Sequence, residues 1–255
     1  MLPRIAIPMP HSTDREYGER AIPQYERAVT LAGGEPVRVP LDQGSAEIGR
    51  LITTCNGVLL PGSNADVDPS KFGQALSPHT AAADRLREET DFRLLEDAHA
   101  HGKPVLCICY GLQSLNVFRG GSLVQHIPDF LPEASRAKVN HEAGKKIAIA
   151  HAVEIVRDSK LGNIIGDGKR SDAGAGGKRI VVPVNSSHHQ SADVIGDGLR
   201  IVARCPDDGI IEALEGISPN EFLLAVQWHP ERSVDEDEPS RAIFGALIEA
   251  ARNTK

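Results

Sequence analysis

The sequence has no apolar run that approaches the roughly 18 consecutive residues of a membrane-spanning helix. Its N-terminal stretch, Met1 to Met9, also lacks the extended apolar region after a basic start that marks a secretory leader. Hydrophobic residues make up 40% of the chain and charged residues 25%, as in ordinary globular proteins. We therefore expect a cytoplasmic globular protein with no membrane partner.

An excess of positive charge is lacking too. The chain has 28 lysines and arginines against 35 aspartates and glutamates, for a formal net charge of −7. Proteins that bind nucleic acid usually carry a basic footprint, so this balance argues against a nucleic-acid partner. We expect a small-molecule ligand, and we leave open a homodimer formed through apolar surface of the sheet.

Cysteine is scarce, and its four positions are scattered at Cys55, Cys107, Cys109 and Cys205. The sequence contains no Cys-x-x-Cys pair and no paired Cys/His spacing, which argues against a structural zinc. The scatter also favours reduced thiols over a disulfide framework. The sequence therefore predicts no structural zinc.

Short apolar runs alternate with helical patterns along most of the chain. Strands are predicted at 3–9, 35–41, 57–60, 147–156 and 179–185, and helices at 16–31, 45–54, 81–101, 158–165 and from 238 onward. This alternation predicts an α/β fold with a mostly parallel central sheet, helices on both faces and chemistry at the carboxyl ends of the strands. Runs at 199–205, 210–215 and 223–228 predict a small antiparallel extension. We see no repeat or long linker, so we predict one domain over residues 1–255.

Two polar stretches are predicted as loops. Residues 128–146 read as a meandering connection, and the glycine-rich run 166–178 lacks the Gly-x-x-x-x-Gly-Lys-Ser/Thr spacing of a phosphate-binding loop. Within the helix at 81–101, four charged residues lie three or four positions apart and share one face, namely Asp84, Arg87, Glu88 and Asp91. This face is either solvated or in contact with substrate, and we assign it no catalytic role.

Cys109 stands where an apolar strand ends and a helical pattern begins, in the stretch from Pro104 to Leu115. At the start of a helix the backbone N–H groups point outward and favour a thiolate. Cys107 and Gly111, two residues away on either side, are small enough for strand and helix to approach closely. The pattern predicts a nucleophile on a sharp strand-to-helix elbow, although a lone cysteine is more often a small buried side chain.

Two further strand ends carry complementary groups. The run 222–228 ends in His229-Pro-Glu231, and in an extended segment residues two apart share a side, so Glu231 can orient the imidazole. A cysteine that attacks a carbonyl needs a base and later an acid, and one oriented histidine supplies both. Residues 57–64 run into a Pro61-Gly62 turn, whose N–H groups can face a developing oxyanion.

Three segments together resemble one family. Cys109-Tyr-Gly-x-Gln113, Gln227-Trp-His-Pro-Glu231 and the stretch from Pro61 to Pro69 look like the signatures of the class I glutamine amidotransferase-like superfamily. The stretch from Val184 to Gln190 (Val-Asn-Ser-Ser-His-His-Gln) and the spaced charges from Asp84 to Asp91 resemble its gamma-glutamyl hydrolase branch. For these charges the branch resemblance implies a structural tether near the site. The likeness covers roughly residues 3 to 250.

The resemblance implies a flavodoxin-like fold and cysteine-dependent hydrolysis of a gamma-glutamyl amide, such as gamma-glutamyl-gamma-aminobutyrate, through a thioester. It implies a triad, an oxyanion hole and a set of substrate contacts, and it requires no cofactor. The triad is Cys109, His229 and Glu231; the oxyanion hole is formed by the N–H groups of Gly62 and Tyr110; the substrate contacts are Gln113, Ser187, His188 and His189.

Two residues depart from the family pattern. Cys107 replaces the usual glycine, and Tyr110 replaces the arginine that usually follows the nucleophile in this branch, which raises a question about substrate class because tyrosine has no guanidinium. Tyrosine also follows the nucleophile in some ammonia-supplying amidotransferases. The alternatives are therefore a glutaminase subunit that delivers ammonia to a separate synthase, and a binding protein on a degenerate fold of this kind.

Overall fold

A computed structural model describes residues 1–136, 138–145, 148–166, 172–173 and 177–254 of the chain. The strands are β1 (Arg4–Pro8), β2 (Glu35–Val39), β3 (Gly57–Leu60), β4 (Val105–Ile108), β5 (Leu123–Val124), β6 (His151–Val156), β7 (Asp172–Ala173), β8 (Arg179–Val184), β9 (Ser191–Ala192), β10 (Leu199–Arg204), β11 (Ile211–Gly216) and β12 (Leu223–Val226). The helices are α1 (Arg15–Leu31), α2 (Ser45–Thr53), α3 (Arg85–His101), α4 (Tyr110–Phe118), α5 (Ile127–Phe130), α6 (Glu133–Arg136), α7 (Lys160–Ile165) and α8 (Glu238–Arg252). None of the helices in these ranges is both long and apolar enough to cross a membrane.

One large sheet runs through the described residues in the order β2-β1-β3-β4-β12-β11-β10-β6-β8-β7. The strands from β2 to β12 pair in parallel, and those from β12 to β7 pair antiparallel. The predicted parallel sheet with an antiparallel extension is confirmed. The strand pair β5 and β9 forms a separate small sheet.

Helices cover both faces of this sheet, because each carries an apolar stripe that needs burial. Side chains of α1, α7 and α8 pack on one face, and those of α2, α3 and α4 pack on the other. Each layer excludes water from one side of the central strands, which explains why β3, β4 and β12 are apolar throughout.

The register of the central strands brings three chain segments together. Ile108 at the end of β4 pairs with Val226 at the end of β12, and Leu60 at the end of β3 pairs with Cys107. The loops that follow these strands therefore leave the sheet side by side at its carboxyl edge.

The structure differs from the sequence predictions in one loop and in one strand boundary, and a second predicted loop lies largely outside the described residues. The segment predicted as a loop at 128–146 contains α5, α6 and a 3₁₀ turn at Ala143–Lys145. Such four-residue helices are too short to give a periodic pattern. Strand β6 begins at His151, later than the predicted 147. The glycine-rich run 166–178 lies largely outside the described residues.

Candidate active site

Cys109 forms a strained elbow between β4 and α4. Its φ and ψ are 54° and −107°, and within the described ranges it is the one residue besides glycines with a positive φ. Such a conformation costs on the order of 1–3 kcal/mol and persists because neighbouring contacts enforce it. The Cys109 N–H donates to the Val226 carbonyl at 2.8 Å. A Cβ on Gly111 would lie 2.4 Å from the Leu60 carbonyl oxygen, so glycine is required there.

His229 and Glu231 form a buried hydrogen-bonded pair after β12. The distance from His229 Nδ1 to Glu231 Oε1 is 2.7 Å. Asn185 clamps the backbone of His229, since it accepts from the His229 N–H and donates to its carbonyl, both at 2.9 Å. Pro230 begins a 3₁₀ turn that places the carboxylate two residues beyond the imidazole. The imidazole is thereby held with Nδ1 toward Glu231.

The electrostatics of this pair favour a protonated imidazole. Burial alone would lower the pKa of His229, but the Glu231 carboxylate and the Cys109 side chain outweigh it and raise that pKa to about 9. Burial would raise the pKa of Glu231, but the imidazolium lowers it below its usual value. Glu231 thus favours a cationic imidazole beside the Cys109 side chain.

Gly62 lies against both groups. A Cβ on Gly62 would lie 3.0 Å from His229 Cε1 and 3.6 Å from the Cys109 Cβ, so only glycine leaves that space open. The Gly62 N–H donates to the Tyr25 hydroxyl at 3.0 Å. Burial raises the pKa of Tyr25 well above its usual value, so the hydroxyl stays neutral. The predicted donation by Gly62 to an oxyanion requires this bond to open.

A cavity of roughly 710 Å³ opens in front of Cys109. The residues that line this Cys109 cavity include the predicted contacts Gln113, Ser187, His188 and His189. It also carries two arginines, Arg20 and Arg232, and two acids, Asp66 and Glu142. The elbow, the His229–Glu231 pair and the predicted substrate contacts thus meet in one place.

Comparison with known proteins identifies the family of this chain. The Peptidase C26 family model matches residues 5–231. The chain belongs to the Peptidase C26 family. Gamma-glutamyl-gamma-aminobutyrate hydrolase PuuD of Escherichia coli K12 is 30% identical over 90% of this chain and 85% of its own length. A Mycobacterium tuberculosis protein named as a putative glutamine amidotransferase is 35% identical over 89% of this chain, which spans only 66% of that protein.

A solved structure supports the fold of this C26 family member. The glutaminase domain of Trypanosoma brucei CTPS superposes with a TM-score of 0.60 over 99% of this chain and 95% of that domain, at 16% sequence identity. The predicted superfamily and the predicted fold class are confirmed.

The predicted substrate contacts differ in how they face the Cys109 cavity. His189 Nε2 lies 3.0 Å from Asp66 Oδ1, and the Ser187 hydroxyl accepts from Arg232 at 2.8 Å. Gln113 is buried, and its amide donates to the Gln190 carbonyl at 3.3 Å. His188 turns both ring nitrogens away, because Nδ1 donates to the Gln190 carbonyl and Nε2 faces Glu212. Substrate contact by His188 stays a prediction, and its ring nitrogens are directed elsewhere.

Tyr110 occupies the position where the resemblance leads us to expect an arginine, and its side chain does not supply a similar group. Tyr110 is 1% exposed and packs with Ala65 and Val67 instead of lining the Cys109 cavity. The guanidinium of Arg87 lies 4.9 Å from the centre of its ring, at a distance typical of a cation–π contact. Tyrosine in place of arginine at position 110 therefore alters the packing beneath the elbow.

The four charged residues shared by one face of α3 are buried, so the solvated alternative is wrong. Arg87 pairs with Asp91 at 2.7 Å and donates to the Pro61 carbonyl at 2.6 Å. Glu88 accepts from the Asp68 N–H at 2.6 Å, and Asp84 accepts from the Ser12 N–H at 2.6 Å. Arg87 and Glu88 thus hold the loop after β3 and Asp84 holds the loop after β1, as expected of a structural tether.

Several polar residues that line the Cys109 cavity were not predicted from the sequence, among them Asp66, Arg232 and Arg20. Asp66 lies inside the quoted stretch from Pro61 to Pro69, and Arg232 directly follows Glu231, so proximity to a signature was an available signal for both. Arg20 offers no such signal, because it is one of several charged residues on the exposed side of α1.

Proposed function

We propose that this C26 family member hydrolyses a gamma-glutamyl amide through a thioester on Cys109. The observation that carries the proposal is the buried His229–Glu231 pair, fixed at 2.7 Å and set beside a cysteine held at positive φ. A thiol, a base oriented by a carboxylate and an open cavity are the parts that nucleophilic acyl transfer needs.

In the proposed reaction, the Cys109 thiolate attacks the gamma-carbonyl carbon and the imidazolium of His229 donates its proton to the leaving amine. His229 then takes a proton from water, which attacks the thioester and releases glutamate. Glu231 keeps Nδ1 of the imidazole protonated and stabilises the imidazolium throughout. The sulfur leaves as thiolate, so the enzyme returns to its starting state.

The oxyanion of each tetrahedral intermediate would be bound by backbone N–H groups of Gly62 and Tyr110. Tyr110 is the first residue of α4, where N–H groups have no acceptor within the helix. The Gly62 N–H becomes available when its bond to the Tyr25 hydroxyl opens. One such donor typically contributes about 10²–10³ in rate.

The charges of the Cys109 cavity suit a glutamyl head group, which carries an ammonium and a carboxylate on one carbon. Arg20 and Arg232 supply cationic groups for the carboxylate, and Asp66 supplies an anionic group for the ammonium. Gln113, Ser187 and His189 add hydrogen-bonding groups. We assign the leaving amine to the gamma-aminobutyrate class on the strength of the hydrolases that are 30% identical to this chain.

Glutamate release by the purified protein tests this proposal. We would compare wild type, Cys109→Ala and Cys107→Ala on glutamine, gamma-glutamyl-gamma-aminobutyrate, other gamma-glutamyl amines and a polyglutamyl folate. The expected result is release that favours a gamma-glutamyl amine, that disappears in Cys109→Ala and that persists in Cys107→Ala, which removes the neighbouring thiol of the same strand. Equal release by wild type and Cys109→Ala would contradict the mechanism.

The same set of substrates distinguishes gamma-glutamyl hydrolysis from the two alternative functions. Release from glutamine alone, or only in the presence of another protein, would favour a glutaminase subunit of an amidotransferase. No turnover of any amide, together with ordinary reactivity of the Cys109 thiol, would favour a binding protein. A cytoplasmic location and a homodimer remain predictions from the sequence.

The raised pKa of His229 predicts a pH dependence. Because protonated His229 is the acid for the leaving amine, kcat/KM should fall as pH rises through the His229 pKa of about 9. Glu231→Gln removes the carboxylate that raises this pKa, so the alkaline limb should move to lower pH. The measurement is kcat/KM against pH for both proteins. An alkaline limb at the same pH in both would show that Glu231 does not set the protonation of His229.

A further inference from the structure

Four buried side chains outside the proposed catalytic machinery converge on one point next to the Cys109 cavity. They come from four separate segments: the stretch before the 3₁₀ turn at Ala143–Lys145, the first residue of β6, the loop after β8 and the second residue of β11. We call them the His₃Glu cluster: His141, His151, His188 and Glu212. Their side chains are at most 3% exposed.

One atom of each side chain faces the same centre. Glu212 Oε1 lies 3.2 Å from His141 Nδ1, 3.5 Å from His151 Nε2 and 3.6 Å from His188 Nε2. The four atoms all lie within 4.8 Å of one another. Ligand atoms about 2.0–2.1 Å from a tetrahedral zinc ion are separated by about 3.3 Å, so this spacing suits such an ion.

In each histidine, the hydrogen bond made by the outer ring nitrogen determines which nitrogen carries the lone pair. His151 Nδ1 lies 3.0 Å from the Ala152 carbonyl oxygen, and His188 Nδ1 lies 2.8 Å from the Gln190 carbonyl oxygen. A carbonyl only accepts, so both Nδ1 atoms carry hydrogen, and in a neutral ring Nε2 then offers a lone pair. His141 Nε2 is held in the same manner by the Asp208 carboxylate at 2.8 Å.

The inward atoms have no hydrogen-bond partner within the described part of the chain. This holds for the three inward histidine nitrogens and for both oxygens of Glu212. Buried polar atoms are nearly always paired, so a group of five unpaired atoms around one point indicates a missing partner. Histidines whose outer nitrogen is held by a carboxylate or a carbonyl are typical of metal ligands.

Charge leads to the same conclusion. Glu212 and Asp208 are both fully buried carboxylates, and in the described ranges no arginine or lysine lies within ion-pair distance of either. Buried carboxylates need a compensating cation. His141 lies 2.8 Å from Asp208 and 3.2 Å from Glu212, and one protonated imidazole would balance only one of the two charges. One divalent ion among three neutral imidazoles would balance the two negative charges.

We propose that the His₃Glu cluster binds one Zn²⁺ ion that joins the four segments. Three imidazole nitrogens and one carboxylate oxygen suit zinc in ligand type and geometry. Four protein ligands close the coordination sphere, which is the pattern of a structural site. The ion would hold the loop that carries Ser187, His189 and Gln190, and so would shape one wall of the Cys109 cavity. The sequence predicted no zinc, and this inference departs from that prediction.

Metal content of the untagged full-length protein is the first test. We expect close to one zinc per chain after purification without chelators, and loss of that zinc on dialysis against a strong chelator. Reconstitution with Co²⁺ should give the intense visible absorption of a four-coordinate ion. The chelated protein should unfold at a lower temperature than the zinc-loaded protein, because an ion that binds only the folded state stabilises it.

A matched pair of variants locates the site. His151→Ala removes a ligand that does not line the Cys109 cavity, and it should weaken zinc affinity at least 10-fold, with a Tm that no longer responds to zinc or chelator. His126→Ala disrupts another group that is able to hold a metal, formed with His79 and Asp129, and it should retain the zinc.

Two results would overturn the proposal. The first is a wild-type protein that takes up neither zinc nor cobalt and whose Tm is the same with zinc and with chelator. The second is loss of zinc in His126→Ala but not in His151→Ala, which would move the ion to the more exposed group. Both readouts are independent of amide hydrolysis, so they stand whether or not the proposed reaction is correct.

Discussion

Replacing His229 with alanine is expected to lower kcat/KM for the preferred gamma-glutamyl amide by a factor on the order of 10⁴–10⁶. In the proposed mechanism, the variant loses the cation that favours the Cys109 thiolate, the acid for the leaving amine and the base for water at once. It also leaves the Glu231 carboxylate buried without its partner. The measurement is steady-state release of the amine and of glutamate, with the Tm of each protein to exclude unfolding.

His101→Ala is the control for this change. His101 is an exposed histidine at the end of α3, before β4 begins, so it lies at the opposite edge of the sheet from Cys109. We expect its kcat/KM to equal that of wild type. Glu231→Gln should fall between the two, since it keeps the imidazole but not the charge that orients it. A folded His229→Ala protein within 10-fold of wild type would remove His229 from the mechanism.

Replacing Arg87 with methionine is expected to lower the free energy of unfolding by about 3–5 kcal/mol. Arg87 is fully buried, and the change leaves the Asp91 carboxylate without a counterion and the Pro61 carbonyl without its donor. Urea denaturation at neutral pH measures the loss as a shift of the midpoint at constant slope. Because Pro61 precedes Gly62, we also expect lower turnover from the protein that remains folded.

Arg85→Met is the matched control, since it makes the same substitution in the same helix. Arg85 pairs with Glu89 four residues on, as Arg87 does with Asp91, but its side chain is 88% exposed. Solvent already screens that pair, so its loss should leave the midpoint almost unchanged. Adding Asp91→Asn to Arg87→Met should recover part of the stability, because the uncompensated charge is then gone. Equal effects of Arg85→Met and Arg87→Met would contradict this account.

Much of the fold and the centre of the site can be predicted because the relevant signals are local. Alternation of apolar runs with helical patterns identifies β1, α1, β2, α2 and β3 to within a few residues. Cys109 is found at a change of pattern from strand to helix, and Glu231 is found two residues after His229. These relationships extend over only a few residues, so chain geometry alone sets them.

The features that the sequence did not predict correctly depend on which distant segments of the chain meet in space. The face of α3 that carries Arg87 has the same spacing whether it is solvated or buried, and only packing beneath the Pro61 loop decides that it is buried. His188 belongs to a motif, but its Nε2 faces Glu212 and its Nδ1 donates to the Gln190 carbonyl, so neither ring nitrogen is directed into the Cys109 cavity. Tyr110 likewise packs on Arg87.

The family, the α/β architecture, the elbow at Cys109 and the orientation of His229 by Glu231 can all be predicted from the amino-acid sequence. Each of these follows from residue types and spacings within a short segment. By contrast, the shared centre of His141, His151, His188 and Glu212 and the burial of the charges of α3 are visible only in the folded chain. The physical reason is that strand order and register bring distant segments together, and no spacing along the chain encodes that proximity.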